Sequence, residues 1–227
     1  MADPVDFDDY TENYNQLLHE KTRLFATNEG YFARYKVDIV RKQFTSPVGR
    51  VLEYGCGIGR NIPFLQNAFP GSIIVGSDIS LASLKIAKRD NPEFDFVAED
   101  GNATEMGIFD LIFVAGVFHH IPVDQRRNAA RTLFSRLAPD GKLFVFEHNP
   151  YNPITRGIVS TCQYDEDAVL LKPSELMSLL SEAEFLVERK AYCLFVPPSL
   201  GALTGLENRL GWLPLGGQYW LQATRAA

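Results

Sequence analysis

Residues 51–61 read VLEYGCGIGRN, an apolar run followed by glycines at 55, 57 and 59. Without a Cβ, glycine lets the backbone turn tightly and approach a ligand closely. The dinucleotide pattern G-x-G-x-x-G, counted from Gly55, needs its third glycine at position 60. That position holds Arg60, and the glycine arrives one residue early at Gly59. Asp78 ends the next apolar run, SIIVGSD. A carboxylate at the end of a second strand can accept both hydroxyls of a ribose. The plainer alternative is a tight strand–helix turn whose aspartate caps the next helix. Loop and aspartate together favour a nucleotide-like ligand other than a dinucleotide.

Four histidines, His19, His119, His120 and His148, are the candidates for proton transfer near neutral pH. His148 closes FVFEHNP and is the first choice for a general base. His119, in GVFHHIP, is the second. His120 reads as a brace for its loop, and His19 as a surface residue. Period-2 alternation should point Glu147 and His148 to opposite sides of a strand. No Asp-Asp-Asn arrangement at metal-binding spacing is visible, so metal-independent chemistry is expected.

Alternating strand and helix patterns must position these groups. RVLEYG, SIIVGSD (72–78), FDFVAED (94–100), FDLIFVAGVF (109–118) and KLFVFEHN (142–149) read as buried strands. Between them NIPFLQNAF, SLASLKIAKRD and VDQRRNAARTLFSRLA carry apolar residues at helical spacing. Such alternation predicts βαβ units in an α/β fold with a parallel sheet covered on both faces. Ahead of it, Phe7, Tyr10, Tyr14, Leu17 and Leu18 share one helical stripe, and YFARYKVDIVRKQF is a second helix. Residues 150–172 show little regular pattern. A helix follows over Pro173–Glu182, then a strand over 185–196, a greasy interruption over 197–217 and a final strand QYWLQATR.

The bulk composition bounds the function. The 227 residues suit a single domain, with 46% hydrophobic and 22% charged residues, as in soluble globular proteins. A net charge of −6 without basic blocks argues against nucleic acid as a partner. Cys56, Cys162 and Cys193 have neither disulfide-framework nor metal-ligand spacing. The acidic start MADPVDFDDY lacks an apolar leader and no run reaches membrane-spanning length, so a cytoplasmic protein is expected.

Two residues choose among nucleotide ligands. Arg60 is bulky where a dinucleotide loop needs close helix–strand contact. Glu53, two residues before Gly55, would repel a pyrophosphate but suits an ammonium or sulfonium group. S-adenosylmethionine carries both cations and no phosphate.

The stretches VLEYGCGIGRN, VGSDIS, FVAEDGNA, FDLIFVAGVFHHIP and LAPDGKLFVFEHNP, in that order, resemble a class I S-adenosylmethionine-dependent methyltransferase of the bacterial small-molecule type. The resemblance covers residues 50–150, and QYWLQATR matches the family's closing antiparallel hairpin. It implies a Rossmann-like seven-stranded sheet of order 3-2-1-4-5-7-6, with strand 7 antiparallel. Residues 1–48 would form an N-terminal helical lid, 49–149 the cofactor half, and 150–227 the acceptor half.

It further implies that Gly55, Gly57 and Gly59 line the methionine part of S-adenosylmethionine. Glu53 would orient the loop or the cofactor amino group through water. Asp78 would hold the ribose, and Ile79 would pack on adenine. Asp100 or Asn102, flanking Gly101, would meet the adenine amino group. Ala115 and Gly116 would offer backbone carbonyls to the ammonium. Tyr14 would cover the cofactor, and Cys56 is a small buried residue in the loop.

The expected reaction is methyl transfer to a small-molecule acceptor on a hydroxyl oxygen, such as a natural product, a quinone-like phenol or a sugar. The alternative is a cofactor-binding protein that keeps the fold for a non-methylating reaction or a regulatory role. A subgroup pattern, HNP-x-NP-x-TR with a later LPLG-x-QY, places Arg156, Tyr164, Asp165 and Asp167 over the acceptor mouth. The insert, with Leu200, Leu203, Leu206, Leu210, Trp212 and Leu213, is core packing, a homodimer contact or an acceptor wall.

Overall fold

The computed structural model describes residues 30–99, 106–162, 165, 166, 168–196, 207 and 209–226. Its seven strands are β1 (Arg50–Tyr54), β2 (Ile73–Asp78), β3 (Asp95–Ala98), β4 (Phe109–Ala115), β5 (Leu137–His148), β6 (Phe185–Cys193) and β7 (Gln218–Arg225). Six helices are described: α1 (Tyr31–Arg41), α2 (Ile62–Ala68), α3 (Leu81–Asp90), α4 (Arg126–Arg136), α5 (Pro153–Val159) and α6 (Pro173–Glu182).

The strands form one sheet of order β3-β2-β1-β4-β5-β7-β6. The first five run parallel, and β7 is antiparallel to both β5 and β6. This is the Rossmann-like arrangement expected from the motifs.

Central strands are apolar on both sides because both sides are covered. Along β4 and β5, Ile112, Val114, Leu143 and Val145 join Ala130 and Leu133 of α4 and Leu176 and Leu180 of α6. The alternate residues Leu111, Phe113, Phe144 and Phe146 turn the other way, onto Val37 and Val40 of α1 and Ile62 and Leu65 of α2. Thus the apolar runs conceal a period of 2, and each half of it finds its own helices.

Beyond β4 and β6, which end three residues early at Ala115 and Cys193, three elements differ from the sequence reading. β3 is shorter than FDFVAED suggests and ends at Ala98. β5 begins earlier, because Leu137 already pairs with Phe109 before an irregularity shifts the register to Leu111–Lys142. The third difference lies in residues 150–172, which hold α5. Asn152 caps it, its side-chain oxygen accepting from the N–H groups of Ile154 and Thr155, and Pro153 occupies the first turn, where a missing N–H costs nothing. An Asn-Pro pair is itself a helix-start signal, obscured here by the prolines around it.

α5 explains the subgroup pattern. The Asn149 amide donates to the carbonyls of Pro214 (3.1 Å) and Gly216 (2.7 Å). Asn152 donates to Leu215 (2.6 Å) and the Thr155 hydroxyl to Gly217 (2.9 Å). HNP-x-NP-x-TR and LPLGG are therefore two halves of one clasp. It holds the end of the insert over the carboxyl end of β5. Trp212 and Leu215 of the insert are turned to solvent rather than into the core.

Candidate active site

A cleft of roughly 940 Å³ opens at the carboxyl ends of β1, β2 and β4. There the strand order reverses direction, the place where open α/β sheets bind ligands. Its wall includes Gly55, Cys56, Gly57, Asp78, Ile79, Ala115 and Gly116, with Lys36 from α1 opposite. The glycine loop is tied down at Cys56, whose N–H donates to the Ser77 carbonyl at 2.9 Å. Gly55 has φ +68°, and a Cβ there would lie 2.4 Å from a Val117 methyl. Gly57, at φ +52°, differs: a Cβ there would meet nothing within 4 Å. The first glycine serves packing; the second leaves space at the cleft wall.

Asp78 braces this loop. One carboxylate oxygen accepts from the Gly57 N–H (2.7 Å) and the other from the Ser80 N–H (2.9 Å). A carboxylate has about four lone-pair sites, and with the Ile79 N–H as a third backbone donor one site remains for a ligand hydroxyl. The plainer capping role and ribose binding are thus compatible. Burial raises the Asp78 pKa, and these backbone donors oppose that rise. Asp78→Ala is expected to weaken cofactor binding by at least about tenfold, since charge-assisted bonds contribute roughly 1.5–3 kcal/mol each. Calorimetric titration with S-adenosylhomocysteine checks this; an unchanged affinity would remove Asp78 from the site.

Glu53 is buried at the end of β1. Its Oε1 accepts from the Asn61 amide at 2.5 Å, while its Oε2 has no hydrogen-bond partner among the described residues. Burial pushes its carboxyl up to about 8, against the opposing pull of Asn61 and of the Lys36 charge. In the ligand-free protein it is therefore mostly neutral at pH 7. A ligand ammonium placed near it would favour the carboxylate, so binding would then drive a proton off. Affinity for S-adenosylhomocysteine is expected to rise with pH, by up to about tenfold per unit below pH 8, and to level off above it. Titrations in buffers of different ionisation enthalpy should show this proton release. A pH-independent affinity, or an unaltered pH dependence in Glu53→Gln, would contradict it.

The histidines converge beside the cleft. His119 is buried, with Nδ1 2.5 Å from Glu147 Oε2. Glu147 Oε1 accepts from the N–H groups of Val117 (3.1 Å) and Phe118 (2.8 Å), fixing the turn after β4. The ring of His120 lies 4.1 Å from that of His119, tilted by 43°, and the ring of His148 lies 4.9 Å away on the other strand end. Glu147 and His148, still paired with Tyr219 and Gln218 of β7, both lie close to His119. Burial opposes a charged His119, yet Glu147 and Asp165 push its pKa up to about 9. Burial, then the His119 charge, pushes His148 down to about 4 and His120 to about 3. Burial would raise Glu147, but the His119 charge and hydrogen bond hold it below the usual range.

Of the expected site residues, the structure brings together Gly55, Cys56, Gly57, Asp78, Ile79, Ala115 and Gly116 on the cleft wall. Ile79 stands exposed at the rim, as a platform for a flat ring would. Gly59 packs behind the loop against Ala87 and Asn91. Cys56 is buried, and burial carries its thiol well above the usual range. Tyr14, Asp100, Gly101 and Asn102 lie outside the described residues, as do His19, Tyr10, Tyr164, Asp167, Leu200, Leu203 and Leu206. Arg156 is exposed on α5. His120, read as a brace, lines the cleft, whereas His119 is turned inward.

Lys36 and Asn61 went unassigned in the sequence. Asn61 was the last letter of the opening motif, but only its bond to Glu53 gives it a role. Lys36 has no motif: it sits beside core residue Val37 and reaches the cleft because α1 crosses the sheet there.

A family model described as a methyltransferase domain matches residues 17–203. The chain belongs to this methyltransferase-domain family. Its curated relatives include thiocyanate methyltransferase 1 of Brassica oleracea, 35% identical over 116 residues, covering 48% of this chain and 49% of the relative. Demethylmenaquinone methyltransferase of Renibacterium salmoninarum is 30% identical over 128 residues, covering 55% and 52%. This methyltransferase-family chain thus matches about half the length of these relatives. Among solved structures, a SAM-dependent methyltransferase from Archaeoglobus fulgidus superposes with a TM-score of 0.68 at 16% identity, covering 93% of this chain and 100% of that one. At that identity the likeness is one of fold. No helix among the described residues is long and apolar enough to cross a membrane.

Proposed function

We propose that this methyltransferase-family chain transfers a methyl group from S-adenosylmethionine to an oxygen of a small-molecule acceptor. The observation that carries the cofactor reading is the cradle itself. Gly57 leaves open space, Asp78 keeps one acceptor site, and a buried Glu53 oxygen lacks a partner among the described residues. Together these suit a ribose and a cationic, phosphate-free ligand. Ile79 would support the adenine, and Ala115 and Gly116 the ammonium. Lys36, whose own charge burial disfavours, gains a partner in the cofactor carboxylate.

Bound S-adenosylmethionine supplies an activated methyl group on a sulfonium. The chain's part is to hold the acceptor oxygen in line with that methyl, exclude water and take the acceptor proton. His148 is the proposed base. Burial beside His119 keeps it neutral near pH 7, and its ring stands next to the cleft rather than in its lining. Glu147 and Asp165 offset the charge it gains.

The small-molecule assignment draws on three supports. The cleft is partly covered by α1, the net charge of −6 disfavours nucleic acid, and the named relatives methylate thiocyanate and demethylmenaquinone. A quinone-like phenol with an apolar body would suit the apolar composition of residues 197–217. Incubation with methyl-labelled donor and a panel of phenols, quinols, glycosides, protein and RNA tests the reading. Label in the small-molecule fraction is expected; label only in protein or RNA would contradict it.

A further inference from the structure

His119, His120 and Asp165 bring three ligand atoms within 4.8 Å of one another. The Oδ1 of Asp165 is 3.6 Å from His119 Nε2 and 3.4 Å from His120 Nε2. Both distances exceed the ordinary range of a hydrogen bond from a ring N–H. These two are close to the edge of a coordination tetrahedron, about 3.3 Å at metal–ligand bonds of about 2.0 Å, and the wider pair, the two imidazole nitrogens, has to draw in on the ion. We propose that these three side chains bind a divalent transition metal ion, zinc by preference, with its fourth position on the cleft side.

A second observation supports this independently. His119 meets Glu147 at 2.5 Å through Nδ1, which turns Nε2 to Asp165, and a metal ion arriving there displaces the Nε2 proton while Nδ1 keeps its own. A histidine ligand whose other ring nitrogen donates to a carboxylate is the usual supporting arrangement at metal sites. It fixes the tautomer and raises the basicity of Nε2. One proton can bridge a single nitrogen to Asp165, whereas a cation engages both imidazoles and the carboxylate at once.

The fold also holds Asp165 in place. The Val169 N–H donates to the His119 carbonyl at 2.9 Å, tying the segment after α5 to the His-His turn. The buried Arg126 clamps both, donating to the carbonyls of Ile121 (2.9 Å) and Val169 (2.8 Å). Two imidazoles and one carboxylate suit zinc or iron(II) better than magnesium or calcium. His120 lines the cleft, which gives the ion its route in. His119 and His120 are adjacent but Asp165 lies far from them in sequence, so the set has no linear signature like the Asp-Asp-Asn pattern whose absence suggested metal-independent chemistry.

The test is equilibrium dialysis of the whole chain against zinc, followed by metal analysis, with cobalt(II) absorption reporting the geometry. One ion per chain and a tetrahedral cobalt spectrum are expected. His120→Ala and Asp165→Asn should each weaken retention by at least about tenfold, the smaller effect expected even of a supporting residue. Circular dichroism establishes that each variant is folded. Should His120→Ala fail to fold, Asp165→Asn decides, since Asp165 lies on a connecting segment. No retained ion, or an ion held as tightly by Asp165→Asn, overturns the proposal. The outcome is independent of whether the chain methylates anything.

Discussion

Gly57→Val is expected to abolish cofactor binding while leaving the protein folded. A Cβ at Gly57 meets no protein atom within 4 Å, so no packing opposes the larger side chain. The same open space is where the ligand's methionine part would lie, and a valine would fill it. The backbone at φ +52° adds local strain of about 1–3 kcal/mol for a non-glycine residue, which also loosens the turn held by Asp78. Together these effects should reduce affinity for S-adenosylhomocysteine by more than about 100-fold, over 2.7 kcal/mol. Calorimetry measures the loss, and circular dichroism the fold. Gly55→Val is the contrasting control: its Cβ would collide with Val117 at 2.4 Å, so stability should fall too. Near-normal binding by folded Gly57→Val would make the loop a mere turn.

His148→Ala is expected to lower kcat by on the order of 100-fold or more, the usual scale of general acid–base catalysis. Cofactor affinity should stay within about twofold of wild type, because the ring stands with His119 and not among the residues lining the cofactor loop. A parallel loss of binding and turnover would mean that the ring only anchors the end of β5. Turnover unchanged would leave His120, which lines the cleft, or an acceptor that ionises unaided.

The parallel core was legible because its evidence is local and repeated. VLEYG, SIIVGSD and FDLIFVA carry strand and turn signals in one short window each, and helices between them fix the hand and order of the sheet. QYWLQATR coincides with β7 for the same reason. The glycine loop and Asp78 were legible because one turn joins them: Gly57 N–H meets Asp78 across the β1–β2 pair.

The acceptor side was less so, for physical reasons. Asn149, Asn152 and Thr155 act on carbonyls of Pro214, Leu215, Gly216 and Gly217, more than fifty residues away, and backbone carbonyls leave no trace in residue type. HNP-x-NP-x-TR was therefore visible as a pattern but not as a clasp. Lys36 was hidden for a similar reason, since a lysine on an amphipathic helix normally reads as solvated. The division between His119 and His120 depends on which ring Glu147 captures. Adjacent histidines past a strand end give no periodicity from which to tell.

Calorimetric titration of the purified chain with S-adenosylhomocysteine, alongside NAD, tests the central claim most directly, because the proposed reaction rests on the ligand of the glycine loop. One molecule of S-adenosylhomocysteine bound per chain, lost in Gly57→Val, with no heat from NAD, is the expected result. Binding of NAD without binding of S-adenosylhomocysteine would contradict the account.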